Sequence, residues 1–292
     1  MKYPKWRELI VNPFDIPFKN IKLFEIVNYF PAGNDVMEGI CDYQGRKHKV
    51  IIKVERSKVS DFTVEFNTIT KLNTNNYYNK TAQVIEYGVY QNHKYLVLTK
   101  VRGKRLSEIL LTPDMKKDYL RKYGMELGKI HQIPKNEFNI SLKRTINDIP
   151  SGDIYHDFDP FIRKYLDYLK ENKIEIVNNC FIHGDFHYAN ILWLNQEVSG
   201  VLDFEYSGNG FKEQDIAWAL ILRPNGRFLD SYEDIMSFLD GYSQYETYDP
   251  FALKWCLING YCHFYLMNKD NLEYKNKVKE ILKTIKNIKF RN

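Results

Sequence analysis

The stretch from Phe181 to Trp193, FIHGDFHYANILW, is a short polar loop pinned between apolar runs. Phe181 and Ile182 precede the loop and Ile191, Leu192 and Trp193 follow it, so both ends are anchored in a core while the centre turns. Asp185 and Asn190 stand five residues apart in that loop. A second carboxylate, Asp203, comes in the apolar-to-acid transition GVLDFE, beyond a hairpin through Asn195 and Gln196. A lone Asp or Asn here needs no special account, because both are turn formers. The ordered set needs one. An Asp, an Asn five residues on and an Asp past a short hairpin suit phosphoryl transfer. The first orients or deprotonates the attacking hydroxyl, and the other two hold magnesium on nucleotide phosphates.

The residues before this loop read as an antiparallel meander. Ile21 to Phe30 is rich in β-branched and aromatic residues, and Pro31-Ala32-Gly33-Asn34-Asp35 turns the chain into a strand over Val36 to Tyr43. Gln44-Gly45-Arg46 turns it again into Val50-Ile51-Ile52-Lys53-Val54, so a lysine sits inside the most apolar strand. From Asp61 to Leu72 the spacing of Phe62, Phe66, Ile69 and Leu72 predicts a helix, capped by Ser60 or Asp61, with Glu65 at the edge of the apolar stripe. A further hairpin runs through Val84–Tyr90 and Lys94–Thr99, and then VRGKRL breaks the pattern. Helical spacing returns over Asp114 to His131, in Phe161 to Glu171 and in Ile216 to Leu222. The polar, Pro- and Gly-broken span from Lys135 to Asp159 reads as a connecting segment.

HGDFHYAN together with LDFE resembles the aminoglycoside phosphotransferase and choline kinase superfamily, a branch of the protein-kinase-like fold. His-Gly-Asp at 183–185 stands where protein kinases carry His-Arg-Asp. The resemblance runs from about Ile21 to Tyr265, with its specific residues clustered at 183–215. It implies a bilobal α+β fold: residues 1–101 as a small antiparallel β-sheet N-lobe with one main helix that binds nucleotide, and 102–292 as a larger, mostly helical C-lobe with the catalytic loop and the acceptor site. It implies ATP or GTP as phosphoryl donor with Mg2+. It assigns Asp185 as the catalytic base, Asn190 and Asp203 to the metal, Lys53 to the phosphates and Glu65 to orienting that lysine. It places the interlobe hinge at Thr99, Lys100 and Val101, whose backbone would pair with the purine edge. It makes Asp215 a support for the catalytic-loop backbone, and LGKIH at 127–131, with a structural His131, the helix beneath that loop. Glu205 is open between magnesium and a structural role. The chain departs from the protein-kinase pattern at the phosphate loop, where Gly33 and Asn34 are all that stand for several glycines. Zinc held by His183, Asp185 and His187 is the rival reading of the core motif, and it leaves Asn190, Asp203, Lys53 and Glu65 without a role.

Composition sets the outer limits. At 292 residues the chain is long for one core. No apolar run spans a bilayer, and the first residues show no apolar secretory core, so a cytoplasmic protein with no membrane span is expected. The four cysteines, Cys41, Cys180, Cys256 and Cys262, are scattered and read as reduced. From Asn268 to Asn292 there are eight basic and three acidic residues, which accounts for the whole formal charge of +5, so no nucleic-acid footprint is expected. That segment also predicts a last helix over Leu272–Phe290, with an apolar ridge of Val278, Ile281, Ile285 and Ile288.

Phe228 to Pro250 holds Asp230, Glu233, Asp234, Asp240, Glu246 and Asp249 with no Lys or Arg, amid Tyr232, Tyr242, Tyr245 and Tyr248 and followed by Trp255, Tyr261, Phe264 and Tyr265. Carboxylates and aromatic faces suit an alkylammonium group, whereas an ordinary helix face and core would look the same. The functional expectation is an O-phosphotransferase acting on a hydroxyl of a small cationic molecule, an aminoglycoside-type antibiotic first and a choline- or ethanolamine-type metabolite second. A non-catalytic kinase-like scaffold or coat protein is the alternative from another class.

Overall fold

The computed structural model describes residues 8–30, 33–56, 62–109, 111–141, 148–150, 159–224, 226, 228–287 and 290. The chain divides into two units: residues 1–105 with 191–195 and 199–206, and residues 106–190 with 196–198 and 207–292.

The first unit is built on a five-stranded antiparallel sheet, order β1-β2-β3-β5-β4, of β1 (Ile21–Phe30), β2 (Asp35–Tyr43), β3 (Arg46–Val54), β4 (Val84–Tyr90) and β5 (His93–Thr99). Two of its hairpins are closed by residue pairs at positive φ, Gln44–Gly45 and Gln91–Asn92, the two-residue turn whose twist matches the strands. The fourth position of that second turn, His93, is therefore already strand, paired with Tyr90. β3 is four residues longer at its start than its apolar run suggests, because Arg46–Lys49 pair with β2 while remaining exposed. Strand alternation puts Val50, Ile52 and Val54 on one face, where they pack with Met37, Cys41, Tyr95 and Val97. The same alternation sends Lys53 to the opposite face, where its Nζ lies 5.2 Å from the ring centre of Phe62 in α1 (Phe62–Thr74). In α1 the buried stripe is Phe62, Glu65, Thr68, Ile69 and Leu72. Glu65 thus sits in the middle of the stripe rather than at its edge, and Phe66 turns aside to stack on Tyr87 at 4.6 Å. The expected cap at Ser60 or Asp61 lies outside the described residues. β6 (Lys104–Arg105) pairs with β8 (Ile191–Leu194), and β9 (Glu197–Val201) completes a three-stranded sheet.

The second unit is helical. Three of its helices start on a cap followed by proline: Thr112 for α2 (Pro113–His131), Asp159 for α3 (Pro160–Glu171) and Asp249 for α6 (Pro250–Met267). Each cap's side chain accepts a backbone N–H that the first turn leaves orphaned, and proline at N1 loses nothing by lacking its own. α4 runs over Lys212–Leu220, earlier at both ends than its apolar spacing suggests, and beyond its end the Leu222 N–H is taken by the Tyr261 hydroxyl at 3.0 Å. α5 covers Tyr232–Tyr242 and α7 covers Leu272–Asn287. Val278, Leu282 and Ile285 are the buried ridge of α7, and Ile288 lies outside the described residues. A two-stranded ribbon of β7 (Cys180–Ile182) and β10 (Gly208–Gly210) leads into the loop at 183–190. Among the described residues no helix is long and apolar enough to cross a membrane.

α2 and α5 approach so closely that both need glycine at the crossing. A Cβ on Gly124 would collide with the Phe238 carbonyl, and one on Gly241 with that of Arg121. Because the obstacle is backbone, the helices must part. Gly124→Ala is expected to destabilise the protein by at least about 2 kcal/mol, read as a lower urea midpoint at unchanged m-value.

Candidate active site

In the first unit one lysine joins two distant acids. Lys53 Nζ lies 2.5 Å from Glu65 Oε2 and 2.7 Å from Asp203 Oδ1. Burial alone would strip the proton from such an ammonium, but Asp203 and Glu65 outweigh it and raise the Lys53 pKa, keeping the lysine charged. The Glu65 side chain is 1% exposed and that of Asp203 34%, so Glu65 is the interior anchor and Asp203 the partner facing solvent. Asp203 has φ 71° just after β9, a conformation costly for a residue other than glycine. The local backbone thus strains to present this carboxylate.

In the second unit the loop at 183–190 hangs from Asp215 near the start of α4. Asp215 Oδ2 accepts the His183 N–H at 2.8 Å and Oδ1 accepts that of Gly184 at 3.0 Å. His131 Nε2 stands 3.1 Å from Oδ2, and His131 Nδ1 lies 2.8 Å from the Tyr242 hydroxyl. An ionised carboxylate only accepts, so the imidazole hydrogen sits on Nε2 and Nδ1 accepts from Tyr242. Gly184 takes φ 76° to make the turn. Phe186 stacks on Tyr123 at 4.9 Å, and the Tyr123 hydroxyl donates to the Phe186 carbonyl at 3.3 Å. His131 and Asp215 thus hold the loop, as the resemblance implies.

Asp215 also gives the fold a pH dependence. Burial pushes its carboxyl up, but the hydrogen bond from the His131 ring, with that from the His183 backbone N–H, holds it below the ordinary 3.8. A carboxyl depressed by folding stabilises fully above its unfolded value, and that stability is lost as pH falls through the lower folded value. Asp215→Asn should therefore cost at least about 2 kcal/mol at pH 7. The gap to wild type in thermal unfolding should close as the pH drops below 3.8.

The loop presents Asp185 with its rotation fixed. Oδ1 accepts the indole N–H of Trp218 at 2.8 Å. Asn190 Nδ2 donates to the Asp185 carbonyl at 3.1 Å and reaches Oδ2 at 3.4 Å, and His187 Nε2 lies 3.8 Å from Oδ2. With its amide nitrogen committed to Asp185, Asn190 turns its carbonyl oxygen the other way, the atom a hard cation prefers. The zinc reading gains nothing. His183 Nδ1 accepts the Asp185 N–H and His187 Nδ1 that of Ala189, and among the described residues no group of three His, Cys, Asp or Glu could hold a metal ion.

Comparison with known proteins then places the chain. The profile of the phosphotransferase enzyme family matches residues 77–253, more than half of the sequence. The chain belongs to that family. A curated homoserine kinase from Bartonella henselae is 27% identical over 108 residues, covering 33% of this chain and 34% of that protein. The chain therefore aligns with about a third of that relative's length. Among solved structures, aminoglycoside-3'-phosphotransferase of type VIII superposes with a TM-score of 0.59 at 18% identity, covering 83% of this chain and 93% of that one. A thermostable mutant of aminoglycoside phosphotransferase APH(4)-Ia, in ternary complex with AMP-PNP and hygromycin B, superposes at 0.61 and 15% identity, covering 90% and 94%. At these identities the likeness shows the fold, a kinase-like α+β fold with its antiparallel sheet in the N-terminal part and its helices in the C-terminal part.

In this phosphotransferase several expected residues have other work. The Asn34 side chain accepts the Arg56 N–H at 3.1 Å and reaches Glu205 at 3.5 Å, so it ties backbone. Glu205 takes the other end of that tie. Gly33 has open space where a Cβ would go, so packing does not demand a glycine there. At the expected hinge, the Thr99 N–H is bonded to the Gln83 carbonyl at 2.9 Å and that of Lys100 to the Lys49 carbonyl at 3.3 Å. Four of the six acids of the acidic run are likewise accounted for. Asp230 and Asp234 each lie 2.6 Å from Lys116, Glu246 lies 2.8 Å from Lys212, and Asp249 caps α6. Among the aromatics, Tyr242 serves His131, Tyr261 serves Leu222, Trp255 donates to the Leu169 carbonyl, and Tyr265 donates to Asp159 at 2.5 Å. These groups are caps, ion pairs and core, not the wall of a cation pocket. Sequence reasoning missed Trp218, although its place three residues after Asp215 puts the two on one helix face.

Proposed function

We propose that this chain transfers the terminal phosphoryl group of ATP or GTP to a hydroxyl of a small molecule. The observation that carries the proposal is Lys53 meeting both Glu65 and Asp203. Three residues drawn from a strand, a helix and a post-hairpin turn converge on the grip a nucleotide's phosphates require. A scaffold has no use for a buried ammonium held charged. Asp185 orients the acceptor hydroxyl and takes its proton, and Trp218 and Asn190 keep that carboxylate from rotating away. Lys53 neutralises phosphate charge, and Glu65 keeps it extended. Asn190 and Asp203 would hold magnesium, which would supply charge neutralisation at the transferred phosphoryl group. Backbone carbonyls at 99–101 and the Val101 N–H would read the purine.

Two acceptors are proposed. An aminoglycoside-type antibiotic rests on fold likeness, and a hydroxylated metabolite rests on the homoserine kinase alignment. The test is nucleoside diphosphate release with ATP and with GTP, with magnesium, across aminoglycosides, choline, ethanolamine and hydroxy amino acids, beside Asp185→Ala. Release that depends on one acceptor and disappears in the variant supports the reading and names the substrate. No release with any acceptor, together with no magnesium-nucleotide binding, favours the scaffold.

A further inference from the structure

Arg223 lies just past α4, and its guanidinium stacks on Trp218 at 4.2 Å and on Phe264 at 4.7 Å. Its Nη2 donates to the Trp218 carbonyl at 3.4 Å. Among the described residues its Nη1, shut off from solvent, has no hydrogen-bond partner. Trp218 is the floor common to this guanidinium and to Asp185: the ring face takes the arginine and the ring N–H holds the carboxylate. Burial pulls the arginine below its ordinary value, and the charge that most opposes this is that of Asp185.

A desolvated guanidinium with an unspent donor is expensive to keep unless an anion arrives. We infer that Arg223 is a specificity-determining residue that binds a carboxylate of the acceptor, so that the substrate is a small hydroxy acid or hydroxy amino acid whose hydroxyl is delivered to Asp185. The two aromatic faces fix the plane of the guanidinium, and a planar fork suits a carboxylate. The same positive charge repels an ammonium at this position, which sets the inference against a polycationic antibiotic. Asp230, Asp234, Glu246 and Asp249, engaged by Lys116, Lys212 and the α6 cap, do not offset that charge.

The turnover arm rests on the phosphotransfer reading above, and the binding arm does not. Wild type, Arg223→Gln and Arg223→Lys are compared on L-serine, L-homoserine and 4-hydroxybutyrate, each beside its amide, by diphosphate release and by calorimetric binding. Arg223→Lys keeps the charge and the stem, so it controls for folding. The expected result is a preference of about 100-fold for acid over amide in wild type, carried by KM. That preference is lost in Arg223→Gln and partly retained in Arg223→Lys, and the KM for nucleotide stays unchanged. Binding of an acid that requires Arg223, with no turnover of any acceptor, upholds the inference while the phosphotransfer reading fails. Equal use or binding of acid and amide by wild type overturns it. So does aminoglycoside turnover that Arg223→Gln leaves intact. A rise in nucleotide KM with the acid preference preserved also overturns it, because the arginine would then serve the transferred phosphoryl group.

Discussion

Asp185→Asn is expected to lower kcat by about 10³-fold with little change in the KM for either substrate. The substitution keeps the volume and the Trp218 contact within reach, because an amide oxygen can still accept the indole N–H that now ends 2.8 Å from Oδ1. It removes the negative charge that draws the hydroxyl proton as the oxygen attacks, and it sets an amide N–H2 where Asn190 already presents a donor at 3.4 Å. The loss should fall on kcat because positioning and charge neutralisation carry most of phosphoryl transfer, whereas ground-state binding of the acceptor uses other groups. Trp218→Phe provides the graded comparison. It leaves the carboxylate but frees its rotation, so a loss of roughly 10-fold is expected from poorer orientation. Steady-state kinetics on the two variants with the acceptor found above checks both. Near-normal turnover by Asp185→Asn would remove Asp185 from the chemistry.

Much of this was legible in the sequence, for identifiable reasons. Alternation in β3 places Lys53 opposite Val50, Ile52 and Val54, so a lysine inside an apolar strand already announces a special face. Asp185 and Asn190 are close because a five-residue polar loop leaves them nowhere else to go. Asp215 and His131 take the supporting places that the resemblance gives them. Local spacing does not report partners across long separations. Phe66 reads as core by period, but Tyr87 offers it a stacking surface and Glu65 takes the interior position to meet Lys53. The acidic run reads as a pocket wall until Lys116 and Lys212, more than a hundred and more than thirty residues from their partners, claim three of its carboxylates. Arg223 carries no motif. It becomes noticeable only when Trp218 and Phe264 enclose it. Asp203 shows the same limit for boundaries, since its segment 199–206 belongs to the first unit although 196–198 before it and 207–292 after it belong to the second.

Lys53→Met is expected to separate stability from catalysis. Removing the ammonium strands Glu65, 1% exposed, and leaves Asp203 its solvent edge. A buried carboxylate without its partner costs about 3–5 kcal/mol, so the urea midpoint should drop sharply, and nucleotide-dependent turnover should be lost with it. The stability loss should shrink as the solution is acidified. Burial raises an unpaired Glu65 carboxyl, and a group whose folded pKa is raised contributes stability below its unfolded value that is lost as pH rises through the folded one. In Lys53→Met/Glu65→Leu both ends of the pair become apolar inside a site lined by Phe62. Replacing a buried pair by well-packed side chains is close to neutral, so the double variant should recover most of the wild-type midpoint and none of the activity. If the double variant stays as unstable as the single one, the loss arises at Asp203 rather than Glu65. In that case the strained turn at φ 71° is what the lysine holds in place, and a Lys53→Met/Asp203→Asn pair should be the one that recovers. Either result assigns the buried charge to one partner, because the two carboxylates meet Lys53 from opposite environments, one dry and one open to water.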